Sequence, residues 1–298
     1  VRIVMAGSSG LLGSHLRERL ESHGHEITQL VRRPPTDRDE QPWQPDTGDL
    51  DPAVLAGADV VINLAGAGVE DKRWNDEFKQ LLISSRVRPT GTLARAIAGL
   101  SPVDRPPVMV NASAIGIYGA RGDAEIDEDT PAGTGFFPDL CQAWEAAAAP
   151  AEQAGVRVVA LRTGLVLDRS GGLLKAMSLA FRLFAGGPLA GGRQWMPWIS
   201  MADWTTAVTF LLHRDDISGP VNLVGPDPVR NVDFTKALAR AVHRPAPWPI
   251  PRIALRTVLG EFADEAVASQ RVLPGVLSRA GYEFQHSTLD EALRATFA

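Results

Sequence analysis

Cysteine is almost missing from this chain of 298 residues: Cys141 stands alone, which excludes an internal disulfide framework. The six histidines fall at no spacing that suits zinc. No apolar run approaches the length that spans a bilayer, and the first residues enter a strand directly, so a cytoplasmic protein is expected. Charge of one sign is not in excess either. Thirty basic side chains against 35 acidic ones leave −5, which offers no general attraction for nucleic acid or an anionic membrane. A small-molecule substrate is the expected partner, and the oligomeric state stays open. Internal repeats and low-complexity tracts are lacking. What remains, 45% hydrophobic and 22% charged, is an ordinary globular composition in a chain long enough to bury a large core.

The most informative stretch is the first. Ile3, Val4 and Met5 read as a short apolar strand that breaks at Gly7, turns through Ser8 and Ser9, and opens a helix at Gly10. The spacing is Gly7-x-x-Gly10-x-x-Gly13. In such a strand-turn-helix, Gly7 permits the turn, Gly10 lets a pyrophosphate approach the backbone, and Gly13 lets the helix pack on the strand. Gly7, Ser8, Ser9, Gly10, Leu11, Leu12 and Gly13 are therefore the predicted phosphate cradle of a dinucleotide. A second strand spans Glu26 to Val31, and here another absence matters. A site for NAD carries an acid about eighteen residues beyond the last glycine, to hold the ribose hydroxyls. This chain places Arg32 and Arg33 there, two guanidiniums suited to a 2′-phosphate. NADP(H) is the predicted cofactor.

Strand and helix patterns then alternate. Residues 34 to 49 read as a loop, followed by a short helix near Pro52 to Leu55. Val60 to Ile62 form a strand that ends in Asn63 and the small rim Leu64, Ala65 and Gly66, the predicted adenine-side contacts. A long helix from Asp76 to Gly99, interrupted near Pro89, carries Arg86, which either reaches toward phosphates or is an ordinary surface arginine. Val108 to Ala112 and Val156 to Leu161 are further strands; they end in Ala112-Ser113 and in Arg162-Thr163-Gly164-Leu165. This alternation predicts an α/β fold, a doubly wound parallel sheet with its ligand at the strand C-termini, where Ala112, Thr163, Gly164 and Leu165 lie. Such a Rossmann domain is predicted over residues 1–245, with a substrate-side insertion at about 168–205. Within it, Arg193 suits a carboxylate or phosphate, and Trp195 and Trp198 offer either flat substrate surfaces or core. Ser200 and Asn231 read as helix caps. Prolines at 245, 247, 249 and 251 read as a stiff linker to a small, mostly helical lobe over 246–298 that helps cover the cleft.

Gly7-x-x-Gly10-x-x-Gly13, Asn63-Leu64-Ala65-Gly66, Ala112-Ser113-Ala114 and Tyr118-Gly119 together resemble the extended short-chain dehydrogenase/reductases. Phe137 to Glu145, Arg162 to Leu167 and Pro197-Trp198-Ile199 resemble more closely the branch of "epimerase family" proteins, and the tail resembles the small C-terminal domain of unknown function carried there. The resemblance implies a Ser and a Tyr-x-x-x-Lys pair facing the nicotinamide, the lysine lowering the tyrosine pKa. This chain lacks that pair: Phe137 and Cys141 occupy the two positions, with Ser113 beside the serine position. Tyr118 and Cys141 are the replacement candidates for proton transfer, each with a plainer reading as packing aromatic and buried thiol. Glu145 reads as part of a helix with a small packing face. Three functions follow as expectations: an NADP(H)-dependent oxidoreductase on a small carbonyl or alcohol, a catalytically silent NADP(H) sensor, or a nucleotide-sugar epimerase.

Overall fold

Strands β1 (Arg2–Ala6), β2 (Glu26–Val31), β3 (Glu40–Pro42), β4 (Val60–Asn63), β5 (Val108–Ala114), β6 (Arg157–Thr163) and β7 (Gly219–Leu223) form one all-parallel sheet. Their order is β7-β6-β5-β4-β1-β2-β3. The computed structural model describes residues 1–246 and 248–298, and only the backbone at 258 and 259, so the linker reading at Pro247 lies outside the described residues. Apolar, β-branched runs such as Ile3-Val4-Met5 and Val60-Val61-Ile62 suit strands buried on both faces. Alternate side chains of β1 enter different cores. Ile3 and Met5 join Leu16 and Leu20 of helix α1 (Leu11–Ser22), whereas Val4 and Ala6 join Leu93 and Ile97 of helix α2 (Asp76–Gly99). The sheet is thus wound on both sides, as predicted, and strand order reverses between β1 and β4, where such folds open their ligand crevice.

Further along lie α3 (Phe136–Ala146), α4 (Ala149–Gln153), α5 (Gly172–Arg182), α6 (Met201–Leu212) and α7 (Asn231–Ala241). The tail adds α8 (Arg252–Leu259), α9 (Phe262–Ala266), α10 (Gly275–Arg279) and α11 (Leu289–Phe297). It is sewn to the sheet domain rather than hung from it. Arg271–Val272 pairs in parallel with Glu125–Ile126, Leu277 of α10 enters the core beside β7, and Leu289 and Leu293 pack with Phe234 and Leu238 of α7.

Three local expectations change. The loop predicted over 34 to 49 contains the edge strand β3, whose short Glu-Gln-Pro sequence carries no apolar pattern. Helix α2 continues through Pro89 without interruption, because Pro89, Thr90 and Gly91 are buried against neighbours that hold the turn in place. Asn231 is the first residue of α7 and not its cap; its buried amide instead accepts a hydrogen bond from Leu189 N at 2.7 Å. Ser200 does cap α6, accepting from Asp203 N at 3.0 Å.

Candidate functional site

The opening turn has the shape its glycines foretold. Gly7 sits at φ +79°, and a Cβ there would lie 2.5 Å from the Leu64 carbonyl carbon; one on Gly13 would lie 2.0 Å from Gly7 O. Both positions are closed to any side chain. Gly10 differs, since its nearest neighbour would be Gly7 O at 3.5 Å, which leaves open space at the N-terminus of α1. Backbone N–H groups at such a terminus bind anions. Ser9 and Gly10 are exposed there, Leu11 and Leu12 are half-buried, and Leu11 packs against Gly171. Ser8 turns inward: its hydroxyl donates to Gln29 Oε1 on β2 at 2.9 Å and braces the turn.

The two arginines after β2 are not equivalent. Arg33 is clamped by Glu40 of β3, with Nη1 to Oε2 at 2.8 Å and Nη2 to Oε1 at 2.5 Å. The guanidinium holds the Glu40 carboxyl well below its ordinary range, at about 2. Arg32 is exposed and, among the described residues, has no carboxylate within 4 Å.

At the end of β4, Asn63 donates from Nδ2 to Asn111 Oδ1 at 2.7 Å and to Thr90 Oγ1 at 2.9 Å, and accepts from Ala65 N at 3.2 Å. The Leu64-Ala65-Gly66 rim is thereby fixed. Arg86 is not a surface residue. It is buried behind Gly66, donates to Ala67 O at 2.8 Å and Leu82 O at 3.1 Å, and lies 5.1 Å from the Trp144 ring centre. Burial lowers its pKa.

The polar centre of the rim is a cluster at the ends of β5 and β6. Ser113 Oγ donates to Glu145 Oε1 at 2.6 Å, and Arg162 grips the same carboxylate from the side, Nε to Oε1 and Nη2 to Oε2, both at 2.9 Å. Burial alone would lower the Arg162 pKa; the Glu145 hydrogen bonds and charge reverse that and raise it. Arg162 Nη1 also donates to the Tyr118 hydroxyl at 2.9 Å, and that hydroxyl donates to Asn222 Oδ1 at 2.7 Å.

Residues 3–224 match the NAD dependent epimerase/dehydratase family, and residues 250–296 match a domain of unknown function, DUF1731. The chain belongs to the NAD dependent epimerase/dehydratase family. Among relatives, Epimerase family protein Mb2239 of Mycobacterium bovis is 45% identical over 98% of this chain and 96% of its own length. The chloroplastic SDR39U1 homolog of Arabidopsis thaliana is 33% identical over 98% of this chain and 86% of its own. The crystal structure of human epimerase family protein SDR39U1 with NADPH superposes at a TM-score of 0.91, with 31% identity, over 100% of this chain and 99% of that one. A nucleoside-diphosphate sugar epimerase from Corynebacterium glutamicum gives 0.83 and 34%, over 100% of this chain and 58% of that one.

Against the pattern expected of epimerase-like folds, the two replacement candidates fall inside the protein. Tyr118 is fully buried, its hydroxyl is shared between Arg162 and Asn222, and burial pushes its pKa up to about 12. Its hydroxyl braces the interior between Arg162 and Asn222. Cys141 is also fully buried, and burial first, then the charge of Glu145, pushes its thiol up to about 12. Phe137 packs on Gly116 and edge-on to Trp74, with ring centres 5.1 Å apart, in an aromatic cluster that Phe136 and Phe262 complete.

On the substrate side, Arg193 is exposed and lines a cleft of about 930 Å³ with Gln194, Arg230, Arg252 and Ser269. The tryptophans do other work. Trp198 is core, its Nε1 donating to Asp227 O at 2.8 Å. Trp195 is covered by Arg230 and Arg271, whose guanidiniums lie 4.1 and 4.9 Å from its ring centre, and it bonds Asp123. Trp198 thus takes the core alternative, and the ring of Trp195 is stacked by guanidiniums of the protein itself. The Thr163 hydroxyl oxygen accepts from Trp204 Nε1 at 3.1 Å, and Gly164 is pressed against Pro197 O, so a Cβ would come within 2.8 Å. Ala112 and Leu165 remain partly open at the rim. Sequence reasoning passed over Glu145 and Arg162 as site residues. An arginine that ends an apolar strand, where a buried charge demands a counter-charge, was the available signal.

Proposed function

We propose that this chain is an NADP(H)-dependent oxidoreductase whose proton chemistry runs through Ser113 and Glu145 instead of a tyrosine and lysine. The fit to the coenzyme is supported by the open space at Gly10 between two closed glycines, and by Arg32, an exposed cation without a carboxylate partner. Gly7 to Gly13 would hold the pyrophosphate, Leu64 to Gly66 the adenosine side, and Arg32 the 2′-phosphate, with Arg33 fixed beside it by Glu40. When bound, NADP(H) supplies or accepts hydride.

The observation that carries the reading is the 2.6 Å hydrogen bond from Ser113 Oγ to a carboxylate that Arg162 holds in place. Ser113 is itself buried, and with its own proton directed at Glu145 its lone pairs are left to accept the proton of a substrate hydroxyl while it passes its own to Glu145. Carbonyl reduction is the reverse transfer. Arg162 keeps the carboxylate oriented, which is what a positioned acid/base requires. The test is turnover of NADPH with a panel of quinones, aldehydes and sugar nucleotides. Glu145→Gln is expected to lower kcat by about 100- to 10,000-fold and to leave coenzyme affinity unchanged. Wild-type turnover in that variant would end the proposal.

The burial of both Tyr118 and Cys141 favours a second reading, an NADP(H) sensor without catalysis. Tight NADPH binding with no turnover across the panel is the outcome that supports it.

A further inference from the structure

The net charge of −5 conceals a strong polarity. Residues 169–202 contain four Lys or Arg and no Asp or Glu, and residues 234–260 contain five and none. All 35 acids therefore lie in the rest of the chain, with only 21 of the 30 basic side chains; in the fold Lys236, Arg240, Arg252 and Arg256 pair with Asp233, Asp290 and Asp264 from outside the segments, and the other cations carry the polarity. The fold brings these two acid-free segments together. Ile250 N donates to Pro188 O at 2.8 Å, Ala190 N donates to Ile250 O at 2.9 Å, and Gly187 abuts the Trp248 carbonyl so closely that no Cβ would fit.

Among the described residues, five of the eight exposed large hydrophobics lie on the same two segments: Leu179, Leu183, Phe184, Trp248 and Ile253, from 57% to 81% exposed. Leu179 lies on α5, Leu183 caps the helix one turn later, and Phe184 follows in the left-handed region, at φ 58°, where a bulky residue is uncommon. Lys175, Arg182 and Arg244 are exposed around them and, among the described residues, have no carboxylate within 4 Å. Basic side chains bordering exposed aliphatic and indole groups are the make-up of a surface that settles into a lipid headgroup layer.

We infer that the face built by α5 and residues 244–246 and 248–253 docks on an anionic lipid bilayer. A second copy of the chain fits this face less well, since a two-fold contact would set its cations against themselves. A nucleic acid gives no use to Leu179, Leu183 and Ile253. Docking here needs no spanning segment, and among the described residues no helix is long and apolar enough to cross a membrane.

The test is flotation of the full chain with vesicles of phosphatidylcholine alone and of phosphatidylcholine mixed with phosphatidylglycerol. Binding is expected only to the mixed vesicles and is expected to fade with salt. Two double variants, Phe184→Ser with Trp248→Ser and Arg182→Glu with Arg244→Glu, should each weaken it by about tenfold or more. All four positions are exposed, and unchanged thermal melting shows that the variants remain folded. The inference is overturned if the wild type stays unbound at all lipid concentrations, if both variants float like the wild type, or if light scattering shows a dimer that the variants dissociate.

Discussion

Tyr118 shows how a residue's surroundings decide its task. Its hydroxyl joins Arg162 to Asn222 in the interior, and a phenol pushed up to about 12 keeps its proton near neutrality. Tyr118→Phe should therefore preserve turnover while leaving two buried polar groups short of a partner, at a cost of about 1–3 kcal/mol. A drop of about 5 °C in melting temperature with retained activity is the expected pair of readings; lost activity at unchanged stability would return the proton transfer to Tyr118. The arginines divide in the same way. Arg32→Ala is expected to lower affinity for NADPH relative to NADH by about tenfold or more, because one charge-assisted contact to the 2′-phosphate is lost. Paired titrations with the two coenzymes check this. The tight turn at Gly7 and Gly13 and the placement of Arg32 and Ser113 at strand ends were legible in the sequence, because each belongs to the local backbone. The Arg33–Glu40 clamp and the Ser113–Glu145–Arg162 cluster were not, because the first needs β3 to pair with β2 and the second needs α3 to pack against the ends of β5 and β6.

At the scale of the element, the turn from β1 into α1 makes two glycines of one motif testably different. Gly13 touches the chain that precedes it, and a Cβ 2.0 Å from Gly7 O cannot be accommodated without moving α1. Gly10 faces space. Gly13→Ala should destabilise the protein by about 1–3 kcal/mol through overpacking and weaken NADPH binding as a consequence. Gly10→Ala should melt like the wild type and yet bind NADPH more weakly, since its methyl group occupies the space left for phosphate. If the two variants lose binding and stability in parallel, Gly10 is a packing residue and the cradle assignment fails. Element types were readable for the same reason that these glycines were: β1, β4, β5 and β6 carry uninterrupted apolar runs, and α1 its Leu12, Leu16 and Leu20 stripe. The misses, β3 and the passage of α2 through Pro89, are places where neighbours override a weak or contrary local preference.

Across the whole molecule, the tail and the site share one hydrogen-bonded path. Glu128, itself buried, accepts from Asn222 N at 2.9 Å on β7 and from Val276 N at 3.1 Å on α10, and Gly275 lies against its carboxylate. Asn222 bonds Tyr118 and, through Nδ2, Leu273 O at 3.0 Å; Tyr118 bonds Arg162, which holds Glu145. The segment matching a domain of unknown function therefore helps to fix the end of β7 next to the proposed acid/base cluster. Glu128→Ala should leave two buried N–H groups unpaired and cost about 2–4 kcal/mol. Hydrogen exchange then ought to quicken at Val276 and Asn222 together, and kcat ought to fall more than KM rises, because the coenzyme cradle lies at β1 and is untouched. Glu128→Gln keeps one carbonyl acceptor and should restore part of each effect. If Glu128→Ala loosens the tail while kcat stays at the wild-type value, the tail is a brace for the sheet alone and Arg162 holds Glu145 without its help.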